Sequence, residues 1–266
     1  MELWTIYRKE DAIRNKRFID YLNRACEKYK IKFVLKFWED FPFEGRPDAV
    51  INRTNDFLIS EHFEKRNIRC FNSSSLTKIA NDKNLCYQYM ASNNIRIQRV
   101  FNDISNISSF PVVFKNPLGR GGNEVFLIND LDELKLKIKE YPYYTIQEFL
   151  KAKMPRDLRV YVIGNKIIKG LVRIGTHDFR ANYSLSKQAK IYNFKDEELN
   201  YIQRIIDLFD VDYAGFDFLL DDDNNLIFNE IEDSVGARAL YELTDVDIAT
   251  LYIEYIYTQL AKEKEE

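Results

Sequence analysis

The feature that most limits how this chain can fold is a pair of apolar strands near its C-terminal end. Residues 214–220 (AGFDFLL) and 225–232 (NLIFNEIE) flank a short acidic turn. Side chains two positions apart share one face of a strand, so Glu230 and Glu232 project together, and a tight hairpin can bring Asp217 opposite them. Carboxylates gathered among apolar neighbours repel one another unless a cation lies between them. The hairpin therefore predicts a site for Mg²⁺, which prefers oxygen ligands and keeps positions for phosphate oxygens and water. The alternative is an ordinary hairpin with its acidic face in solvent.

Strand and helix patterns alternate over the first seventy residues. Short apolar runs such as 3–7 and 48–51 are separated by stretches in which apolar residues recur at helical spacing. This order predicts a parallel, doubly wound sheet, and such sheets bind ligands beyond the carboxyl ends of their strands. Arg8, Arg53 and Asn55 follow those ends and are candidate substrate contacts, although solvated loop residues would give the same pattern.

A glycine-rich loop follows a short apolar strand that ends in Lys115. Within residues 110–123 (FPVVFKNPLGRGGN), the lysine should lie near a buried rim, and the backbone amides of 119–122 could close over phosphate groups. The spacing matches neither the P-loop nor the dinucleotide-binding GxGxxG pattern. Taken alone, the pattern is also that of a plain flexible turn.

A further extended segment, 144–150 (YTIQEFL), carries Glu148 near its end. A carboxylate at this place could accept a hydrogen bond from the amino group of adenine, while backbone atoms contact the edge of the base. The tetrapeptide QEFL has no specificity by itself, so its meaning depends on the segments around it.

The order and approximate spacing of these segments resemble those of the ATP-grasp ligases, and among them the RimK-like glutamate ligases. Further segments similar to that group are DLRVYVIGNK (157–166), DFRAN (178–182), GFDF (215–218) and TDVDIA (244–249). The resemblance covers about 82–254, and the first seventy residues fit by architecture only.

The resemblance implies a mixed α/β and α+β chain, with an ATP-grasp fold preceded by a small Rossmann-like α/β domain. The implied divisions are an N-terminal domain over 1–72, a helical linker with the small ATP-grasp lobe over 73–150, and a large lobe with the metal site over 151–266.

The resemblance also implies an ATP-dependent carboxylate–amine ligase, which forms an amide bond through an acyl-phosphate. It would use ATP and two Mg²⁺ ions, for which Mn²⁺ could substitute. The residues implied to contact nucleotide are Lys83, Lys115, Gly121, Gly122, Gln147, Glu148, Phe149, Leu150 and Phe228. Phe228 would share a face of its strand with Glu230 and pack beneath the adenine ring. The residues implied to surround the reacting groups are Arg159, Arg173, Arg180 and Asn182, and those implied to bind metal are Asp217, Glu230 and Glu232.

One position departs from the family pattern. Where the family has Glu-x-Asn, this chain has Glu230-Ile-Glu232. The second glutamate could serve as a magnesium ligand, or its charge could repel phosphates and weaken turnover. The latter keeps open a nucleotide-binding module without ligase activity, and a kinase-like phosphotransferase on the same fold is a third interpretation.

Composition limits the partners and the compartment. A net charge of −3 with both signs interspersed gives no electrostatic footprint for nucleic acid. We expect a cytoplasmic protein without membrane association, since the sequence has neither a signal-peptide pattern nor an apolar run of about 20 residues. Three cysteines without CxxC spacing predict buried free thiols. The expected substrates are a small-molecule or peptide carboxylate and an amine, and surface aromatics among the 17 tyrosines leave room for a homo-oligomer.

Overall fold

The computed structural model describes residues 1–122, 124–175 and 188–263 of the chain. These residues form three sheets flanked by helices, as expected for a mixed α/β and α+β chain. Within the described ranges, no helix is both long and apolar enough to cross a lipid bilayer. The three cysteines are buried free thiols, as the sequence predicts.

The first sheet is parallel and has the strand order β2-β1-β3-β4, which confirms the prediction from the strand–helix alternation. Its strands are β1 (Glu2–Tyr7), β2 (Lys32–Phe37), β3 (Ala49–Asn52) and β4 (Arg69–Phe71). Its connections contain α1 (Lys9–Arg14), α2 (Lys16–Lys28) and α3 (Phe57–Glu64). In α2, buried residues such as Phe18, Leu22 and Ala25 recur every three or four positions, so one face of the helix packs against the molecule.

Two helices follow the first sheet, where the capping residues at 72–75 predict a single helix over 76–92. They are α4 (Ser74–Ala80) and α5 (Lys83–Ser92). The helix is interrupted between them because Asp82 is the N-cap of α5: its carboxylate accepts hydrogen bonds from the backbone N–H groups of Asn84 and Leu85. The break places Lys83 in the first turn of α5.

The second sheet is antiparallel, with the order β6-β5-β7, so that β5 is central. It comprises β5 (Val112–Lys115), β6 (Val125–Ile128) and β7 (Thr145–Glu148), with α6 (Leu131–Glu140) before β7. Lys115 is therefore the last residue of a central strand, paired with Val125 on one side and Thr145 on the other.

The third sheet is antiparallel, with the order β10-β9-β8-β11-β12. Its strands are β8 (Arg156–Ile163), β9 (Lys166–Ile174), β10 (Ala189–Ile191), β11 (Tyr213–Leu220) and β12 (Leu226–Glu232). The accompanying helices are α7 (Asp196–Ile206), α8 (Arg238–Leu243) and α9 (Ile248–Lys262). The predicted C-terminal hairpin is thus β11–β12, and β8 adds the strand next to it.

The first and third sheets share one apolar core. Phe18 and Leu22 of α2 belong to the same buried cluster as Tyr213 of β11 and Tyr252 of α9. Burying one such side chain contributes about 1.5–3 kcal/mol, so this cluster fixes the first sheet against the β11–β12 hairpin. The carboxyl end of β3 lies next to the loop after β12, because Arg53 donates hydrogen bonds to the carbonyls of Ser234 and Val235 there.

Candidate active site

The β11–β12 hairpin brings three carboxylates together. Asp217 pairs with Glu230 across the hairpin, and Glu232 lies two positions further along the same face. One carboxylate oxygen from each of the three residues lies within 4.8 Å of the others. On the other side of β11, Asp217 pairs with Arg159 of β8. The arrangement is the convergence of acidic groups that the sequence predicts.

Arginines balance much of this negative charge. The guanidinium of Arg159 donates from Nε to Asp217 Oδ1 at 2.8 Å and from Nη2 to Asp217 Oδ2 at 2.6 Å. Its Nη2 also lies 2.6 Å from Glu232 Oε1. Arg173 Nη2 donates to Asp217 Oδ2 at 2.7 Å, and its Nε donates to Asp157 Oδ1 at 2.5 Å. The sequence suggested that a metal cation balances the charge of these carboxylates. In the structure, the two arginines balance part of it.

Burial and ion pairing together shift the pKa values of Asp217 and Asp157 in opposite directions. Burial raises the pKa of Asp217, but the attraction of Arg159 and Arg173 outweighs it and lowers the value to about 2. At Asp157 burial is the stronger effect, and despite Arg173 the pKa is raised to about 6. Asp217 is consequently a firmly ionised carboxylate at neutral pH.

Two lysines lie opposite the hairpin. Lys115 is 8% exposed, and its Nζ donates to Tyr87 Oη at 3.0 Å and to Asn229 Oδ1 at 3.1 Å. Burial lowers the pKa of Lys115 to about 8. Lys83 donates from Nζ to the carbonyl of Gly119 at 2.7 Å and lies 3.6 Å from Glu230 Oε2. Lys83 thus contacts both the glycine-rich loop and Glu230, whereas Lys115 contacts the amide of the neighbouring Asn229.

A cleft between the second and third sheets, called the first cleft here, is bounded by Lys115, Gly121, Glu148, Leu219 and Glu230 among others. All residues predicted to contact nucleotide line it except Phe228. Gly121 and Gly122 adopt positive φ angles of 62° and 76°, which turn the loop towards the cleft and favour glycine.

The prediction that Phe228 shares a face with Glu230 is wrong. Asp217 pairs with Glu230, but the next residue, Phe218, pairs with Phe228, so Asn229 is an additional residue in β12. This β-bulge reverses the alternation of side chains, and Phe228 packs in the apolar core with its ring centroid 6.0 Å from that of Phe218. Asn229 lines the cleft instead, and no sequence pattern pointed to it.

A second cleft adjoins the first and is lined by residues of α2, β8, β9 and α8. It contains Arg159, Arg173 and Glu232, and Gly121 lines both clefts. Sequence reasoning missed Arg17 and Arg238, which also line it. Their only sequence signal is a basic residue at the exposed edge of a helix, a pattern shared by many solvated arginines.

The other predicted residues lie elsewhere. Arg8 stacks on Trp38 with its guanidinium carbon 4.3 Å from the ring centroid, and it lines neither cleft. Arg53 is buried and donates to the carbonyls of Ser234 and Val235, so it connects the first sheet to the loop after β12. The side chain of Asn55 donates to Asp233 at 2.9 Å. Arg53 and Asn55 therefore connect the first sheet to the loop after β12. The predicted Arg180 and Asn182 lie outside the described residues.

The donor set fits a hard divalent cation. Asp217, Glu230 and Glu232 supply only oxygen ligands, and Mg²⁺ binds such ligands at about 2.0–2.1 Å. Glu230 is the least engaged of the three, since its ion pair with Lys83 spans 3.6 Å. An ion at this point would lie between the hairpin and the lysine-bearing side of the first cleft.

Comparison with known proteins places this geometry in a family. The model of the RimK-like ATP-grasp domain matches residues 80–256. The uncharacterized protein MG011 of Mycoplasma genitalium is 30% identical over 265 residues, which cover 96% of this chain and 91% of that protein. Human beta-citrylglutamate synthase B is 24% identical over 224 residues, which cover 79% of this chain and 58% of that protein.

Solved structures agree on the fold. A RimK domain ATP-grasp protein from Sphaerobacter thermophilus has a TM-score of 0.75 at 16% identity, covering 96% of this chain and 99% of that one. A D-alanine–D-alanine ligase from Bacillus anthracis complexed with ATP has a TM-score of 0.75 at 14% identity, covering 100% of this chain and 99% of that one. The chain therefore belongs to the RimK-like ATP-grasp family, as the order of its motifs predicts, and is an ATP-dependent ligase.

Proposed function

We propose that this protein joins a carboxylate to an amine through an acyl-phosphate, and that one substrate is an amino acid and the other a peptide, protein or small molecule. The observation that carries this proposal is the contact between the two clefts. Gly121 lines both, and the buried chain of ion pairs from Asp157 through Arg173, Asp217 and Arg159 to Glu232 runs from one to the other. A phosphate group in the first cleft would thus be next to a carboxylate in the second.

In this proposal ATP occupies the first cleft. Glu148, Phe149 and Leu150 would contact the adenine base, and the apolar side chains of Val113 and Leu219 line the same cleft. Lys115 and Lys83 would hold the phosphates beneath the glycine-rich loop. A magnesium ion held by Asp217, Glu230 and Glu232 would supply further positive charge to the phosphate oxygens.

The substrates would bind in the second cleft. Arg17 and Arg238 line it, and within the described parts of the chain neither is paired with a carboxylate. With Arg159 and Arg173 they give this cleft more positive than negative side chains, since Glu232 is the acidic residue among its lining. Such a surface favours a negatively charged substrate.

The reaction would proceed in two displacements. An oxygen of the substrate carboxylate attacks the γ-phosphorus of ATP, the bond to the β,γ-bridging oxygen breaks, and ADP departs. The amine nitrogen then attacks the acyl carbon, the carbon–oxygen bond breaks and phosphate departs with its electron pair, and the nitrogen loses a proton to solvent as the amide forms. In both steps the chain's own contribution is to position the reactants and to balance negative charge with Lys115, Arg159 and Arg173.

The test is ATP-dependent product formation with a panel of carboxylates and amines, followed as ADP and phosphate release and as amide by mass spectrometry. Lys115→Ala and Glu230→Ala should remain folded and lose about 10²–10³-fold in turnover, because the first removes a positive charge next to the phosphates and the second removes a ligand of the magnesium ion. Lys135→Ala, on the exposed face of α6, is the matched control and should keep full activity.

Other outcomes would contradict the proposal. Wild-type turnover in both cleft variants would show that the first cleft is not the reaction site. A phosphorylated product without amide would favour the kinase-like phosphotransferase. ATP binding without turnover across the panel would favour a nucleotide-binding module.

A further inference from the structure

The β-bulge in β12 adds a side chain to the first cleft. In an unbroken strand, consecutive residues point to opposite faces, so only one of Asn229 and Glu230 would face the cleft. With the bulge between the pairs Asp217–Glu230 and Phe218–Phe228, both residues line it. Bulges commonly redirect a side chain next to an active site. The side chain redirected here is the amide of Asn229.

The amide of Asn229 meets the most buried cation of the cleft. Lys115 Nζ donates to Asn229 Oδ1 at 3.1 Å and to Tyr87 Oη at 3.0 Å. Within the described residues, no carboxylate lies within ion-pair distance of Lys115. Both acceptors are neutral, so they fix the ammonium group in place without neutralising its charge, and Glu230 attracts it only from beyond ion-pair distance.

Two of the three N–H bonds of this ammonium group are thereby occupied. The third N–H and the full positive charge are left for an anion in the cleft. A buried lysine with neutral partners lowers the stability of the protein, because its charge has lost its water without gaining a counter-charge. Such an arrangement is useful where a ligand supplies the missing negative charge.

We propose that Asn229 and Tyr87 are positioning residues, which hold the ammonium group of Lys115 between two neutral acceptors and reserve its charge for a nucleotide phosphate. This proposal rests on the proposed role of Lys115 as a phosphate contact. An aspartate at position 229 would cancel the charge that the phosphate needs. A phenylalanine at position 87 would leave the ammonium group with one fixed contact.

The charged surroundings of Lys115 determine how each variant should respond to pH. Burial lowers its pKa to about 8, Glu230 of β12 raises it, and Lys83 of α5 lowers it. The remaining titratable group in contact is Tyr87, whose pKa burial raises well above its ordinary value, so it stays protonated. Neutral acceptors stabilise the charged ammonium, so their removal should lower the pKa of Lys115, whereas a new carboxylate should raise it.

The experiment is calorimetric titration of the full chain with ATP and magnesium, without carboxylate or amine, between about pH 7 and 10. Asn229→Asp should weaken binding by about 10–100-fold at neutral pH, the worth of one charge-assisted contact. The pH at which its remaining binding is lost should move upward. Asn229→Leu and Tyr87→Phe should bind more weakly and lose binding at a lower pH than the wild type. A purely structural role would weaken binding without these opposite pH shifts.

The control is Asn106→Asp, which adds the same charge at an exposed position and should bind as the wild type does. Failure of Asn229→Asp to fold leaves Tyr87→Phe to test the proposal. If the wild type binds ATP, Lys115→Ala does not, and the Asn229 and Tyr87 variants keep both affinity and pH profile, the positioning role is wrong and the proposed function stands. If Lys115→Ala binds as the wild type does, the phosphate role of Lys115 fails, and this proposal fails with it.

Discussion

The site balances charge differently at two places: a carboxylate end, formed by Asp217 with Arg159 and Arg173, and a lysine end, formed by Lys115 in the first cleft. At the carboxylate end, both oxygens of Asp217 accept hydrogen bonds from the guanidinium groups of Arg159 and Arg173. At the lysine end, Lys115 is bonded to a phenol and an amide, neither of which is charged. The pKa values follow this difference: that of Asp217 is held at about 2 despite burial, whereas burial lowers that of Lys115 to about 8.

Asp217, Arg159 and Arg173 hold one another in position without a ligand, whereas the charge of Lys115 is available to a bound anion. The charges of the carboxylate end balance one another, so its geometry does not require a further charge. Removing one partner leaves the other buried charges without full compensation. The lysine end is uncompensated, so it lowers stability and contributes most when an anion arrives. Substitutions at the two ends should therefore change the stability of the protein in opposite directions.

The largest expected effect is that of Asp217→Ala at the carboxylate end. The substitution removes the carboxylate that the buried Arg159 and Arg173 share, so Arg159 keeps only Glu232 and Arg173 only Asp157 among the described carboxylates. Breaking a buried pair in this way destabilises a protein by about 3–5 kcal/mol. We expect a decrease of this size in the free energy of unfolding, measured by denaturation with guanidinium chloride at pH 7.

The matched control is Asp223→Ala in the exposed turn of the same hairpin, which should change stability by at most about 0.5 kcal/mol. Equal stability losses in the two variants would mean that the arginines do not depend on Asp217, and the contrast between the two ends would disappear.

The second effect is that of Lys115→Met, which should lower ATP-dependent turnover by about 10²–10³-fold while making the protein more stable. The folded-state pKa of about 8 lies below the ordinary lysine value. The folded state therefore disfavours the charged lysine, and this penalty is complete below pH 8 and disappears as the pH rises towards about 10.4. Methionine removes the penalty, which amounts to at most about 3 kcal/mol.

Unfolding of the wild type and Lys115→Met at pH 7 and at about pH 10 measures this effect. The variant should be the more stable protein at pH 7, and the gap should narrow at the higher pH. A variant less stable than the wild type at pH 7 would show that the neutral partners fully offset the burial of the lysine.

The sequence predicts the chemistry of both ends and the family. The order of the motifs predicts that Lys115, Glu148 and the carboxylates of the hairpin belong to one site. The two-residue repeat of a strand predicts separately that Glu230 and Glu232 lie on one face. The parallel order of the first sheet also follows from local patterns. A single segment is enough to place Glu230 and Glu232 together, whereas the roles of Lys115 and Glu148 and the parallel order of the first sheet follow from the order of several such segments.

The sequence does not predict which groups partner these residues. The bulge at Asn229 depends on the register between β11 and β12, and the pairing of Arg173 with Asp157 and Asp217 depends on the order of three strands. Neither is a property of a single segment. For the same reason the sequence predicted Arg53 to be a candidate substrate contact, whereas the structure shows it buried and bonded to the loop after β12.

A third, smaller effect concerns the glycines of the two ends. A Cβ atom at Gly215, which pairs with Glu232 in the hairpin, would lie 2.6 Å from Val235 Cγ2, whereas one at Gly121 would meet nothing within 4 Å. Gly215→Ala should cost about 1–3 kcal/mol through overpacking at the carboxylate end. Gly121→Ala should cost about 1 kcal/mol through its positive φ angle alone. Chemical denaturation compares them. Gly215→Ala should cost less in a Val235→Ala background than in the wild type, since the shorter side chain removes the clash. An equal cost in both backgrounds would show that the clash is not the cause.

The smallest expected effect is that of Phe228→Leu, which tests the face of β12 that the bulge assigns. Phe228 is 1% exposed and packs on Phe218 in the core, so an apolar replacement should lower stability by about 1 kcal/mol and leave ATP affinity unchanged. Leu219→Asn, which changes a side chain that does line the cleft, should weaken ATP binding in the same calorimetric titration.

Loss of ATP affinity in Phe228→Leu at unchanged stability would place the ring of Phe228 beneath the nucleotide. Such a result would also remove Asn229 from the lysine end, since the two side chains cannot both face the cleft in the register that pairs Phe218 with Phe228.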